Sequence, residues 1–210
     1  GILKYYSNYT AVLNIQAKFD SALVLTKDAL QLANRFGNEE RIIIAQQNLS
    51  ATYSYLQDYE SALQYLLPSV AYFEKTKNDA RLSLIYDNLG VIYRETKQYD
   101  KALEFHQKAL AIARKSGNSY DIANVLSNLG NAYSSSKRYD SALVIMQDGL
   151  GIARKENYDN IESNIISNIG AVLIKQGRYD SLTYYCTLGL RLAEKLGDSL
   201  AMVNNIYGLA

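Results

Sequence analysis

The 210-residue chain has no tryptophan, one proline, one cysteine and one histidine. A single cysteine, Cys186, excludes an internal disulfide, so cysteine usage neither shows nor rules out secretion. A single histidine, His106, brings no second imidazole and no neighbouring cysteine, which leaves metal binding and nucleophilic catalysis without a constellation. Charge of either sign is not in excess: Lys and Arg number 22, Asp and Glu 21, and the net charge is +1. Nothing here neutralises nucleic-acid phosphates or grips anionic lipid, so partners chosen by bulk charge are not expected. No apolar run approaches the roughly 20 residues that cross a bilayer, and the N-terminus lacks a charged segment followed by an apolar stretch. The visible segment is expected to be soluble and without direct membrane contact, in the cytoplasm or the periplasm. Gly1 in place of Met, and an apolar helical pattern still running at Ala210, suggest a piece of a longer protein.

What is present is a repeat. With 48% hydrophobic and 20% charged residues the chain can bury a continuous core, and self-comparison shows how. Phe19-Asp20-Ser21-Ala22-Leu23 returns 40 residues later as Tyr59-Glu60-Ser61-Ala62-Leu63, then as Tyr99-Asp100-Lys101-Ala102-Leu103, Tyr139-Asp140-Ser141-Ala142-Leu143 and Tyr179-Asp180-Ser181-Leu182. A second column at the same period holds Asn8, Asn48, Asn88, Asn128 and Asn168. Within each period the apolar residues fall at helical spacing, as in Ala102, Leu103, Phe105, Ala109, Leu110 and Ile112, so each period reads as two helices. The second helix opens on an acidic residue that meets the positive end of its dipole. Turns at Gly37, Gly117 and Gly197 supply left-handed helix ends, with Lys77 and Asn157 in the same column.

These periods predict an all-α chain without strands: hairpins over about 2–36, 41–76, 80–116, 119–156 and 161–196, and the first helix of a sixth over 199–210. One hairpin cannot bury both faces, so the array is expected to be a single solenoid. Pro68 falls inside a predicted second helix, where it removes a backbone bond and bends the helix.

The columns resemble the tetratricopeptide repeat family, whose pattern runs Trp-x2-Leu-Gly-x2-Tyr, then Ala-x3-Phe and a final Ala. Repeat three matches best, through Tyr86, Leu89, Gly90, Tyr93, Ala102, His106 and Ala109. The period exceeds the usual 34 residues and the terminal Pro is absent, with Arg114 and Arg154 at that place. Versions of this length, with an Asn-Leu-Gly core and an Ala-Ile-Ala-Arg-Lys ending, are similar to Leu-Gly-Asn polarity adaptors and to sensor regions of bacterial histidine kinases and transcription regulators. The wealth of Asn, Ser and Tyr favours the bacterial group.

The resemblance implies a right-handed superhelix with first helices lining a concave face. It also places the Asn column where relatives that clamp a peptide put Asn or Arg. Asn8, Asn48, Asn88, Asn128 and Asn168 are therefore candidate peptide-binding residues, joined by Asn124, Asn131, Asn164 and Arg94 in neighbouring groove columns. A carboxamide offers a donor and an acceptor, so a ladder of them can pair with an extended backbone. The same ladder could equally bond the adjacent repeat and serve packing alone.

Asp87 adds charge to this groove. Gly90, Gly130 and Gly170 sit inside helices, where small size permits close packing, and form no phosphate loop. His106 and Cys186 share a column with Thr26, Leu66 and Met146 that packs helix on helix. The expected protein is not an enzyme and carries no catalytic residue, metal site or cofactor. It holds a protein or peptide segment, as the sensory or regulatory part of a bacterial signalling protein or, alternatively, as an assembly scaffold. It does not bind nucleic acid, and its solenoid ends are expected to self-associate weakly.

Overall fold

A computed structural model describes residues 2–199, 201 and 202. Among the described residues there are only helices, turns and short connections: α1 (Ile2–Ile15), α2 (Phe19–Phe36), α3 (Glu39–Tyr55), α4 (Tyr59–Leu66), α5 (Pro68–Lys75), α6 (Asp79–Glu95), α7 (Tyr99–Ser116), α8 (Ser119–Ser135), α9 (Tyr139–Lys155), α10 (Asp159–Gln176) and α11 (Tyr179–Leu196). They form five antiparallel hairpins, α4 and α5 being one second helix interrupted at Leu67. The interruption follows from Pro68, which has no N–H to return to the preceding turn. The predicted first helix of a sixth hairpin falls mainly outside the described residues.

Each hairpin closes because its second helix carries small residues on one stripe. In α2 the buried positions are Ala22, Thr26, Ala29 and Ala33, and in α7 they include Ala102, His106, Ala109 and Ala113. Ala22, Ala62, Ala102 and Ala142 are all completely buried. Their methyl groups let two backbones approach where a longer side chain has no room.

The turns hold more left-handed residues than glycine alone signals. Besides Gly37, Gly117, Gly177 and Gly197, positive φ occurs at Ala17, Gln57, Lys77, Lys97, Lys137 and Asn157. An L-residue there costs roughly 1–2 kcal/mol. The conformation is held because the next N–H returns to the helix end: Lys18 to Leu13 at 2.8 Å, Asp58 to Tyr53 at 2.9 Å, Gln98 to Tyr93 at 2.8 Å and Arg138 to Tyr133 at 2.9 Å. Three first helices are capped by the residue after the inter-repeat turn. Asn38, Asn78 and Asn118 each accept a backbone N–H from the first turn of α3, α6 and α8.

The hairpins stack so that α1 packs on α3, α6 on α8 and α8 on α10, whereas successive second helices make no comparable contact. A stack that touches along one edge and splays along the other must curve, with the touching edge inside. First helices therefore line the concave face. One joint departs from this rule: α3 and α6 do not pack closely, and repeats two and three are joined on the outer side instead, by Leu66 and Phe73 against Leu82, Ile85, Leu89 and Ile92.

Candidate functional site on the concave face

Polar side chains of the first helices divide into two sets. In the first, an amide reaches back 41 residues to the preceding repeat: Asn48 donates to Ser7 Oγ at 2.7 Å, Asn128 to Asp87 Oδ2 at 2.8 Å and Asn168 to Ser127 Oγ at 3.2 Å. Lys175 repeats the step to Ser134 Oγ at 3.3 Å. These three amides are half-buried and engaged within the array, so removing them strands an acceptor in the neighbouring repeat.

The second set is unspent. Asn88 and Asn164 are exposed, Asn124 and Asn131 half-buried, and none of the four has a hydrogen-bond partner among the described residues. Asn8, on the first helix, is exposed as well. Arg94 is mostly covered and pairs with its neighbour Glu95, so it adds no free positive charge. Of this set Asn124 borders a cavity of about 500 Å³ between α6 and α8, which Leu84, Asp87, Tyr120 and Asn128 also line.

Asp87 is not the exposed groove charge that its column suggests. It is 7% exposed, and its Oδ1 lies 2.7 Å from Nδ1 of His106, which is fully buried. His106 therefore does have a positioned carboxylate, contrary to the expectation of an isolated imidazole. The reason is that Gly90 lacks a side chain: a Cβ there would lie 2.6–2.7 Å from the imidazole ring, so the ring fills that space and meets Asp87 one turn away. Gly130 and Met146 make the same fit one repeat later.

The chain Asn128–Asp87–His106 is buried polar structure, and Nε2 of His106 has no partner. It offers no open position to a substrate. Cys186 is likewise buried, and burial pushes its thiol up, away from the reactive thiolate. Among the described residues no group of three or more His, Cys, Asp or Glu is placed to hold a metal ion, and no helix is long and apolar enough to cross a membrane.

One aromatic group ties repeats two and three together. Tyr86 of α6 donates its hydroxyl to Glu74 of α5 at 2.8 Å. Burial, then the bond to Glu74 and its charge, push the phenol up to about 12. The folded value lies above the ordinary 10.0, so the stabilisation is complete below pH 10.0 and is lost as pH rises through about 12. Wild type and Tyr86→Phe should accordingly differ in melting temperature by a constant amount below about pH 10 and converge as the pH rises from there to about 12. A difference that does not change across this range would show that the bond is not formed.

Curved stacking of helix pairs, with small residues between the pair and polar rungs across the concave face, defines a superhelical repeat protein. Residues 81–155 match the tetratricopeptide repeat family profile, and the fold of the array is tetratricopeptide-like. No curated protein matches it in sequence.

Solved structures match it in fold. A Rap protein complexed with competence and sporulation factor has a TM-score of 0.87 at 17% identity, covering 97% of this chain and 57% of that one. NprR in complex with its cognate peptide NprX has 0.71 at 18% identity, covering 99% and 60%. BtubC from P. vanneervenii has 0.76 at 18% identity, covering 93% and 81%. This chain thus spans less than two thirds of the Rap protein and of NprR.

Proposed function

We propose that the array is a non-catalytic recognition module that holds an extended peptide or protein segment along its concave face. The observation that carries this reading is the second set of amides: Asn88, Asn124, Asn131 and Asn164 line that face with donors and acceptors that the fold does not use. An extended peptide needs partners for its N–H and C=O groups and little else from such a surface. The charge of the groove is nearly balanced, with Arg94 consumed by Glu95, so a strongly acidic or basic tail is not what it selects. Two structural relatives bound to a factor and to a cognate peptide support the same use of the fold, as the sensory part of a larger bacterial signalling protein. A kinase or DNA-binding domain in the same polypeptide favours sensing; its absence favours the scaffold reading. Tyr5, Tyr9, Val12 and Ile15 are exposed on α1 and form the surface through which weak self-association would run.

The test uses a random heptapeptide library panned against the purified chain and against Asn124→Ala/Asn131→Ala. Because neither amide is spent within the fold, the melting temperature should hold, while bound peptides lose hydrogen bonds worth about 0.5–1.5 kcal/mol each, roughly a tenfold loss of affinity for the pair. If no peptide is retained, or the double variant retains the same peptides equally well, the concave face is not the binding surface.

A further inference from the structure

The joint between repeats two and three lacks the rung that the other joints have. Asn48, Asn128 and Asn168 find short acceptors at Ser7, Asp87 and Ser127, but the residue in that column facing Asn88 is Gln47. Gln47 turns the other way and donates to Ser69 Oγ at 3.2 Å, beside Pro68 in its own hairpin. Asn88 is left exposed and without a partner, and α3 and α6 stand apart. Between them lies a cleft of about 410 Å³, against about 200 Å³ in the corresponding place between α1 and α3. Its walls are Ala51, Tyr55 and Val91, with Tyr59, Leu66 and Ile92 behind them.

We infer that this cleft is a specificity pocket for one large apolar side chain, Leu, Phe or Trp, of an extended peptide whose backbone is taken by Asn88. The inference rests on the reading of the concave face as a peptide groove. The cleft surface is mostly apolar, the hydroxyls of Ser50 and Ser54 that line it are already bonded to backbone carbonyls, its one carboxylate, Glu95, is already paired with Arg94, and its size suits one side chain and not a folded partner. An extended chain advances about 3.3 Å per residue and packed helices lie about 8–10 Å apart. The free amides at the next joint, Asn124 and Asn131, therefore meet the peptide about three residues away from the anchor. The recognised sequence is a neutral one: a large apolar anchor with a polar residue roughly three positions distant.

Two substitutions test the pocket through different means. Ala51→Leu fills it from an exposed helical position that accepts Leu without strain, whereas Gln47→Ser supplies Asn88 with the acceptor its column-mates have and closes the joint. In the heptapeptide panning, wild type should enrich peptides with a single Leu, Phe or Trp, and replacing that residue by Ala in a selected peptide should weaken binding at least tenfold. Both variants should lose the same peptides at least tenfold while folding normally by circular dichroism, with Gln47→Ser melting higher than wild type. If retained peptides show no apolar enrichment, or if Ala51→Leu binds them as wild type does, the pocket is overturned. The groove itself then still stands, provided that Asn124→Ala/Asn131→Ala abolishes retention. Retention of no peptide at all removes both.

Discussion

His106→Met should destabilise the array by about 3 kcal/mol, because it leaves the buried Asp87 carboxylate with Asn128 alone to satisfy it. Asp87→Ser should cost about 1–3 kcal/mol by stranding the imidazole, both of whose nitrogens then lack partners. The double change recreates the arrangement one repeat later, where Ser127 accepts from Asn168 and Met146 fits against Gly130. It should therefore cost at least 1 kcal/mol less than the sum of the singles, the signature of directly coupled residues. Chemical denaturation of the four proteins measures this. Strict additivity would mean that the imidazole and the carboxylate do not meet in solution.

Ala102→Leu is the second large effect expected. Ala102 is completely buried in the cluster of Leu103, Leu126 and Leu129, so three further carbon atoms must displace packed neighbours. Overpacking of this kind costs about 1–3 kcal/mol, which in an array of this size lowers the melting temperature by roughly 2–4 °C per kcal/mol. The adjacent Lys101 is exposed, bonded to Gln98 and lying 5.1 Å above the Tyr93 ring. Lys101→Ala should stay within about 0.5 kcal/mol of wild type. Equal losses at the two positions would show that the small column is not where the helices meet.

The fold was legible because helical periodicity and a 40-residue period are both one-dimensional signals, and the Ala column states the helix approach directly. The bend expected at Pro68 appears as the α4–α5 interruption. The left-handed turns at Gln57, Lys97 and Lys137 carried no such mark, since the residue type there does not announce a positive φ. Those conformations are imposed by hydrogen bonds that exist only once the hairpin closes.

The groove was legible as a set of columns and not as a set of bonds. Whether an amide is spent depends on what stands 41 residues earlier, and that offset becomes a contact only through the pitch of the stack. Read singly, Asn88 and Asn128 are equivalent. Paired with Gln47 and Asp87 they are opposite, one open to the groove and one closed across a joint. Asp87 looked like a solvated groove charge for the same reason, because the space that draws His106 to it is made by the missing side chain of Gly90.

The missing rung also decides how the array yields to force. Joints with a rung resist opening on both sides, so pairs of repeats flanking them move as blocks. Between repeats two and three the rung is missing and opening is resisted on the outer side, by the contacts of Leu66 and Phe73 and the Tyr86–Glu74 bond, which makes the inner edge compliant. Elastic deformation of the superhelix is thereby concentrated in one place: curvature can tighten or relax there while repeats three to five keep their shape, so a segment wedged into the joint would change the angle between the two ends of the array.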